Sequence, residues 1–533
     1  HDPARAPFRV VDEKDFNEAW SQSGYWTMVA TRSASPAPEP DSPVVRTDGD
    51  GSPKPSSPCG AMVDEGVRLA GAADIEAARR LLEVAAQSCP GSPDPWRELA
   101  GLHALRNEWH EAAADARRAL SHAPDDALAA RILATSLYLD GDPDGALDAW
   151  NLVGEPVIDL VKVTGLERTR YRAAARTLGL EPHMLLTRRA IEAARRRLAE
   201  LPSSQGSRVA YRPGENGRTD IEAVVLERAR LPVSPVMLAG TAVHALTDRE
   251  LVVGVASPSG GGEMWTLGWR WWDRRPRVAL GFAAPSPFGG LWGVDLFDER
   301  QTYGGRGGPI EEARQRASFH ISDWTHAGFR WEGVAGVDRF DEAGGSRTGR
   351  AFALAFSGQQ RLAADRAYLE ARAGAWMGTV RTWTVGLRGE WRSSTRNEGR
   401  VWIGRAGAEI APSAAPLALW PGAGTGTGRD VLLRAHPLLD HGVIAKGLFA
   451  PRLTHGGVEW RRWLSQARPV RIAPALFLDV AGTSAGLVRS DRRWQSDLGA
   501  GLRIGMPGSG VVRIDLARGL RDGATALSIG WTR

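Results

Sequence analysis

The chain has 533 residues, too many for one ordinary hydrophobic core, so several domains are expected. Its formal charge of +5, from 67 basic and 62 acidic residues, comes without a basic tract, which excludes the charge pattern of a nucleic-acid-binding protein. No run of about 18 consecutive apolar residues occurs, which excludes a transmembrane helix but not a strand-built membrane protein, whose strands need only alternate.

Residues 1–57 carry little apolar periodicity, and the run from Ser33 to Pro58 is dominated by Ser, Pro, Asp and Gly. Such a composition cannot bury enough surface to order itself and predicts a flexible leader. No secretory signal is visible at His1, and the polar start is consistent with a mature terminus left by cleavage.

From 58 to 155 the pattern becomes helical, with a period of 34 residues. Trp96, Leu99, Ala100, Ala112, Ala116, Ala119 and Pro124 form the clearest unit. Gly66, Leu69, Ala78, Leu82, Ala85 and Pro90 stand one period earlier, and Leu133, Ala134, Leu137, Ala146 and Trp150 one period later. This is the repeat of tetratricopeptide units, whose stacked helix pairs offer a concave face to peptides or proteins; a plain helical spacer is the alternative. The only two cysteines, Cys59 and Cys89, bracket the first helical hairpin, so antiparallel packing predicts a disulfide between them and an oxidising compartment such as the periplasm. Two unrelated buried thiols are the other reading.

From 156 to 231 the order is β-α-α-β-β, with strands near 158–163, 207–212 and 219–227 and helices near 168–178 and 186–200. Val163-Thr164-Gly165-Leu166, Leu178-Gly179-Leu180, Arg208-Val209-Ala210-Tyr211 and Val224-Val225-Leu226-Glu227-Arg228 resemble a POTRA domain. The resemblance implies a periplasmic module that captures extended client segments by adding them to a sheet edge.

From 232 to 533 strand follows strand with period-two alternation, and 16 of the 21 tryptophans lie here. Trp383, Val385, Leu387 and Trp391 alternate with Thr384, Gly386, Arg388 and Glu390. An apolar face toward lipid and a polar face toward a lumen predict a transmembrane antiparallel β-barrel of about 16 strands, closed because an open edge in hydrocarbon leaves backbone groups unpaired. A tryptophan-rich soluble sandwich is the competing fold. The fold class is thus multidomain: all-α repeats, one α+β module and a C-terminal barrel.

The last strands carry Gly499, Gly501 and Arg503, then Arg513 and Asp515 in Val511–Leu520, then Leu527, Ile529 and Trp531. They are similar to the closing strands of the BamA/TamA superfamily, G-x-G-x-R followed by L-R-x-D-x-A. Phe477-Leu478-Asp479-Val480-Ala481 resembles its F-x-D-x-G strand, and Leu432-Leu433-Arg434-Ala435-His436 stands in place of its V-R-G-F/Y loop with only the arginine kept. Alternation turns Glu459 and Asp479 inward, and the resemblance implies that Arg434 is carried in to meet them as a lumen lock; charges merely solvated by lumen water are the alternative. It also implies a lateral seam between the first strand, near 249–257 with Val252 and Val253, and the last, near 525–533 with Leu527, Ile529 and Trp531.

His320, His326, His436, His441 and His455 show neither metal-ligand spacing nor a nucleophile partner and read as solvated loop histidines. Neither enzyme activity nor a cofactor or metal is expected. The resemblance implies an outer-membrane protein with periplasmic N-terminal domains that inserts or assembles proteins. Its expected partners are unfolded or extended outer-membrane or secreted clients, a periplasmic protein on the repeats, and outer-membrane lipid. A secretion pore of the two-partner type and a barrel-anchored periplasmic scaffold are the rival functions.

Overall fold

The computed structural model describes residues 58–230, 245 and 249–532, apart from 306, 326, 344–346, 426–428, 430, 445–447, 465–469, 485, 488–493 and 507–509. The expected leader, His326 and the Trp531 side chain lie outside the described residues. The chain falls into two compact units. One takes in the chain to Lys162 with Glu181–Arg188 and Tyr211–Ile221; the other comprises Val163–Leu180, Arg189–Ala210 and everything from Glu222.

Six helices come first: α1 (Pro58–Gly71), α2 (Ile75–Ser88), α3 (Asp94–Leu105), α4 (Trp109–His122), α5 (Ala127–Leu139) and α6 (Pro143–Asn151). Local chemistry starts them: Asp74, Asp126 and Asp142 accept from backbone N–H groups of the first turns of α2, α5 and α6, and prolines occupy the first turns of α3 and α6. The 34-residue spacing appears in the packing, since Ala78, Ala112 and Ala146 are fully buried, as are Ala85 and Ala119 and the pair Ala100 and Ala134. Gly66 permits the close approach of α1 to α2, because a Cβ there would stand 2.8 Å from the Leu82 side chain. Cys59 and Cys89 are disulfide-bonded across this first helix pair.

Next come β1 (Val157–Thr164), α7 (Tyr171–Leu178), α8 (Arg188–Ala199), β2 (Ser204–Pro213) and β3 (Arg218–Glu227), with strand order β1-β3-β2. The β-α-α-β-β order is the one read from the sequence, with each helix starting two or three residues later. Helix α7 ends on Gly179 at φ +64°, the left-handed conformation that glycine adopts without a steric penalty. The division between the two units passes through this module.

The second unit is dominated by one antiparallel sheet. Its strands are β4 (Glu250–Ala256), β5 (Met264–Arg270), β6 (Arg277–Pro285), β7 (Leu291–Gly305), β8 (Gly308–Trp324), β9 (Phe329–Glu342), β10 (Gly349–Leu362), β11 (Ala367–Gly378), β12 (Thr382–Arg392) and β13 (Arg400–Ile410). A long loop carries four two-residue strands, β14 (Gly422–Ala423), β15 (Leu439–Asp440), β16 (Val443–Ile444) and β17 (Leu448–Phe449). Then follow β18 (Arg452–Arg462), β19 (Arg471–Thr483), β20 (Trp494–Met506), β21 (Gly510–Gly519) and β22 (Thr525–Thr532). Seventeen strands make up the sheet order, of which β15 and β16 belong to the loop, leaving fifteen long ones where about sixteen were expected. Neighbours pair residue by residue from β4 to β13, then through β18 to β22. In the sheet order β22 comes round beside β4.

The two faces differ as alternation requires. Trp383, Val385, Leu387 and Trp391 of β12 are all about half exposed on the outer face, whereas Arg388 and Glu390 meet Glu409 and Arg405 on the inner one. Trp265, Phe282, Trp292 and Phe319 form a continuous aromatic row across β5 to β8, with ring centroids 4.7, 5.0 and 6.1 Å apart. No helix among the described residues is long and apolar enough to cross a membrane.

Candidate functional site: a loop locked against the inner face of the sheet

The chain between β13 and β18 folds back against the inner face of the sheet. A cluster of Tyr303, Leu417, Trp420, Leu438, Ile444 and Phe449 holds its base, with the Tyr303 and Phe449 rings stacked at 5.4 Å. The Glu312 carboxylate of β8 accepts from the Leu417 and Ala418 N–H groups, both at 2.8 Å. Val443 and Ile444 pair in parallel with Thr302 and Tyr303 of β7. The loop is thereby fixed at both ends before its tip is considered.

The tip presents Arg434 to the inner face of β18, β19 and β21. Registry explains what it meets, because Glu459 lies opposite Phe477 and Gly499, and Arg461 opposite Ala475, which in turn faces Gly501 and then Asp515. Arg434 pairs with Glu459 at 2.8 Å, Asp479 at 3.1 Å and Asp515 at 3.4 Å, and its guanidinium carbon lies 3.8 Å from the centre of the Phe477 ring. Each of these charged groups is at least 95 % buried. Arg503 bridges Glu459 (2.8 Å) and Asp515 (2.6 Å), and Arg461 adds a 2.6 Å contact to Glu459. Arg513 stands 3.9 Å from Asp515. Four arginines are thus interleaved with three carboxylates, and a fourth, Asp497, accepts from the Ala435 N–H at 2.6 Å. Interleaving is what makes such burial tolerable, since an isolated buried charge would cost several kcal/mol.

The glycines of the closing strands create the room. A Cβ at Gly499 would strike the Phe477 ring and the Leu516 carbonyl, and one at Gly501 would strike the Asp515 carboxylate and crowd Arg503. Arg434, Glu459 and Asp479, singled out from the sequence, therefore come together, and so do Gly499, Gly501, Arg503, Arg513 and Asp515, which the sequence offered only as closing-strand motifs. Val252, Leu527 and Ile529 point to the outer face, each more than half exposed, on β4 and β22, which are neighbours in the sheet order; Val253 lies half-buried on β4.

One expectation is corrected. His436 is not a solvated loop histidine: it is 7 % exposed, with Nδ1 2.8 Å from Asp497 and Nε2 2.9 Å from Asp522. A carboxylate facing each ring nitrogen favours the protonated form of the imidazole. His320 likewise contacts Asp295 at 3.1 Å, whereas His441 is exposed next to Asp440. Among the described residues no cluster has the make-up of a metal site.

No family model matches the chain, and no curated protein matches it. Among solved structures it is similar to BamA from Haemophilus ducreyi lacking POTRA domains 1–3, at 12% identity and a TM-score of 0.41, covering 70% of this chain and 85% of that one. It is similar to CdiB from Escherichia coli, at 13% identity and a TM-score of 0.48, covering 71% and 76%. It is also similar to CdiB from Acinetobacter baumannii, at 12% and 0.45, covering 70% and 74%.

Proposed function

We propose that the chain is an outer-membrane barrel that inserts, assembles or translocates proteins, with its helical repeats and α/β module in the periplasm. The observation that carries this reading is the Arg434 loop clamped to the inner face of β18 to β21, near the junction where β22 comes round beside β4. A clamp there stiffens the sheet beside the junction of its first and last strands, the line along which it would part. Parted strand edges in hydrocarbon gain backbone hydrogen bonds by pairing with an incoming strand, so the seam is a template for a client. The outer apolar face and the aromatic row support a membrane setting. Strand β2 lies at an edge of the module's sheet, where an extended client segment can add.

The test uses the chain reconstituted in liposomes and a urea-unfolded eight-stranded outer-membrane protein as client. Faster appearance of the folded client's heat-modifiable gel band than in empty liposomes is expected, and no acceleration would overturn the insertion reading. A secretion pore of the two-partner kind is the second reading, favoured by a polar cavity of 510 Å³ on the inner face lined by Glu250, Arg277, Asp295, Arg316 and Glu332. Ion conductance without client insertion would select it.

A further inference from the structure

The turn from β4 to β5 carries a second candidate site, away from the loop. Arg168 and Arg170 precede α7, Arg230 follows β3, and all three line a cavity of 270 Å³ with Ser257, Ser259 and Gly260 of that turn. The walls are built rather than accidental. The Arg170 N–H donates to the Gly260 carbonyl at 2.9 Å, and Thr169 Oγ1 is 3.2 Å from Ser257 Oγ. Gly260 stands at φ +81°, and a Cβ there would lie 3.3 Å from the Arg170 side chain.

Charge balance in this pocket is one-sided. Arg168 is partly matched by Glu227 at 3.4 Å and by the exposed Glu167 at 3.4 Å, but its Nε is buried with no hydrogen-bond partner. Among the described residues no carboxylate pairs with Arg170 or Arg230, and both are exposed. The nearby Glu263 is turned into its own loop, where it accepts from the Ser259 N–H at 2.6 Å. Three guanidinium groups around so small a space hold more donors than a carboxylate can use, because one planar fork already satisfies two oxygens. A phosphate group offers more acceptor oxygens and fits the cluster.

We infer that the Arg168/Arg170/Arg230 pocket binds a phosphate group, with the headgroup of an anionic phospholipid as the expected source. The lipid source rests on the membrane reading above; the phosphate chemistry does not. The pocket adjoins β4, the first strand of the sheet and neighbour of β22, so occupancy bears on the strand that would part.

The test is titration calorimetry on the full chain refolded in non-ionic detergent. The probes are dihexanoylphosphatidylglycerol, dihexanoylphosphatidylcholine and inorganic phosphate. Saturable phosphatidylglycerol binding, weakened at least tenfold in R170Q/R230Q but not in R339Q/R350Q, which removes the same charge elsewhere, is the expected result. Arginine-dependent binding of inorganic phosphate alone would keep the phosphate site and assign it a soluble ligand. No binding of any probe, or binding unaffected by R170Q/R230Q, would overturn the inference. Gel mobility with and without boiling, run on the same samples, reports on the barrel separately: arginine-dependent binding without a mobility shift keeps the pocket and discards the membrane reading.

Discussion

Arg434 brings one buried cation to three buried carboxylates, and removing it leaves their charges facing each other with only Arg503, Arg461 and Arg513 to offset them. Loss of one partner from a buried pair costs roughly 3–5 kcal/mol. Arg434→Ala is therefore expected to lower the urea midpoint of the folded gel band, and an unchanged midpoint would mean that water, not arginine, solvates the carboxylates. His436 makes a sharper prediction. Burial disfavours its imidazolium, but the Asp497 and Asp522 carboxylates outweigh burial and hold its proton affinity above the ordinary value of 6.5. A raised value in the folded state stabilises the fold fully below about pH 6.5 and progressively less as pH rises through the raised value. His436→Phe should flatten that decline in a pH series of urea midpoints; a decline of equal size in the variant would assign it to another group. Glu459 and Asp479 were legible because period-two alternation tells which strand residues face inward, and Arg434 because its loop resembles the family's arginine loop. His436 was not, since its partner Asp522 is 86 residues away and the path of the loop, not local pattern, brings them together.

Strands and helices were more legible than the contacts between them. The β-α-α-β-β order and the first and last strands of the sheet are found within two or three residues of their expected places, because apolar spacing and turn residues mark them. That β22 comes round beside β4 was legible only through the family resemblance, since pairing between strands some 270 residues apart leaves no trace in either strand's own pattern. That junction is testable directly. A disulfide from V252C with L527C, both on the outer face, should abolish client insertion while leaving the folded gel band intact. Full insertion by the crosslinked chain would argue that the client does not enter at this junction.

At the scale of the molecule, the two units rest on different physics. The helical unit is held by interlocking alanines and by the Cys59–Cys89 bond, which closes a 30-residue separation in sequence. A bond of that span stabilises by about 3–4 kcal/mol if it acts on the unfolded chain. Cys59→Ser is expected to lower the thermal midpoint of the helical circular-dichroism signal without changing the gel mobility of the sheet. A simultaneous loss of both would show that the units unfold as one. The sheet depends instead on its ladders and on the buried charges of its inner face.

Arg434 precedes in the chain every carboxylate it pairs with: Glu459, Asp479 and Asp515 all lie toward the C-terminus. During synthesis the arginine therefore arrives first and waits. Its partners come in one by one, and the last of them stands on the penultimate strand. The clamp can be completed only when nearly the whole chain has been delivered, which makes it a test of completeness: a chain cut short before Asp515 carries the key without the last part of its lock.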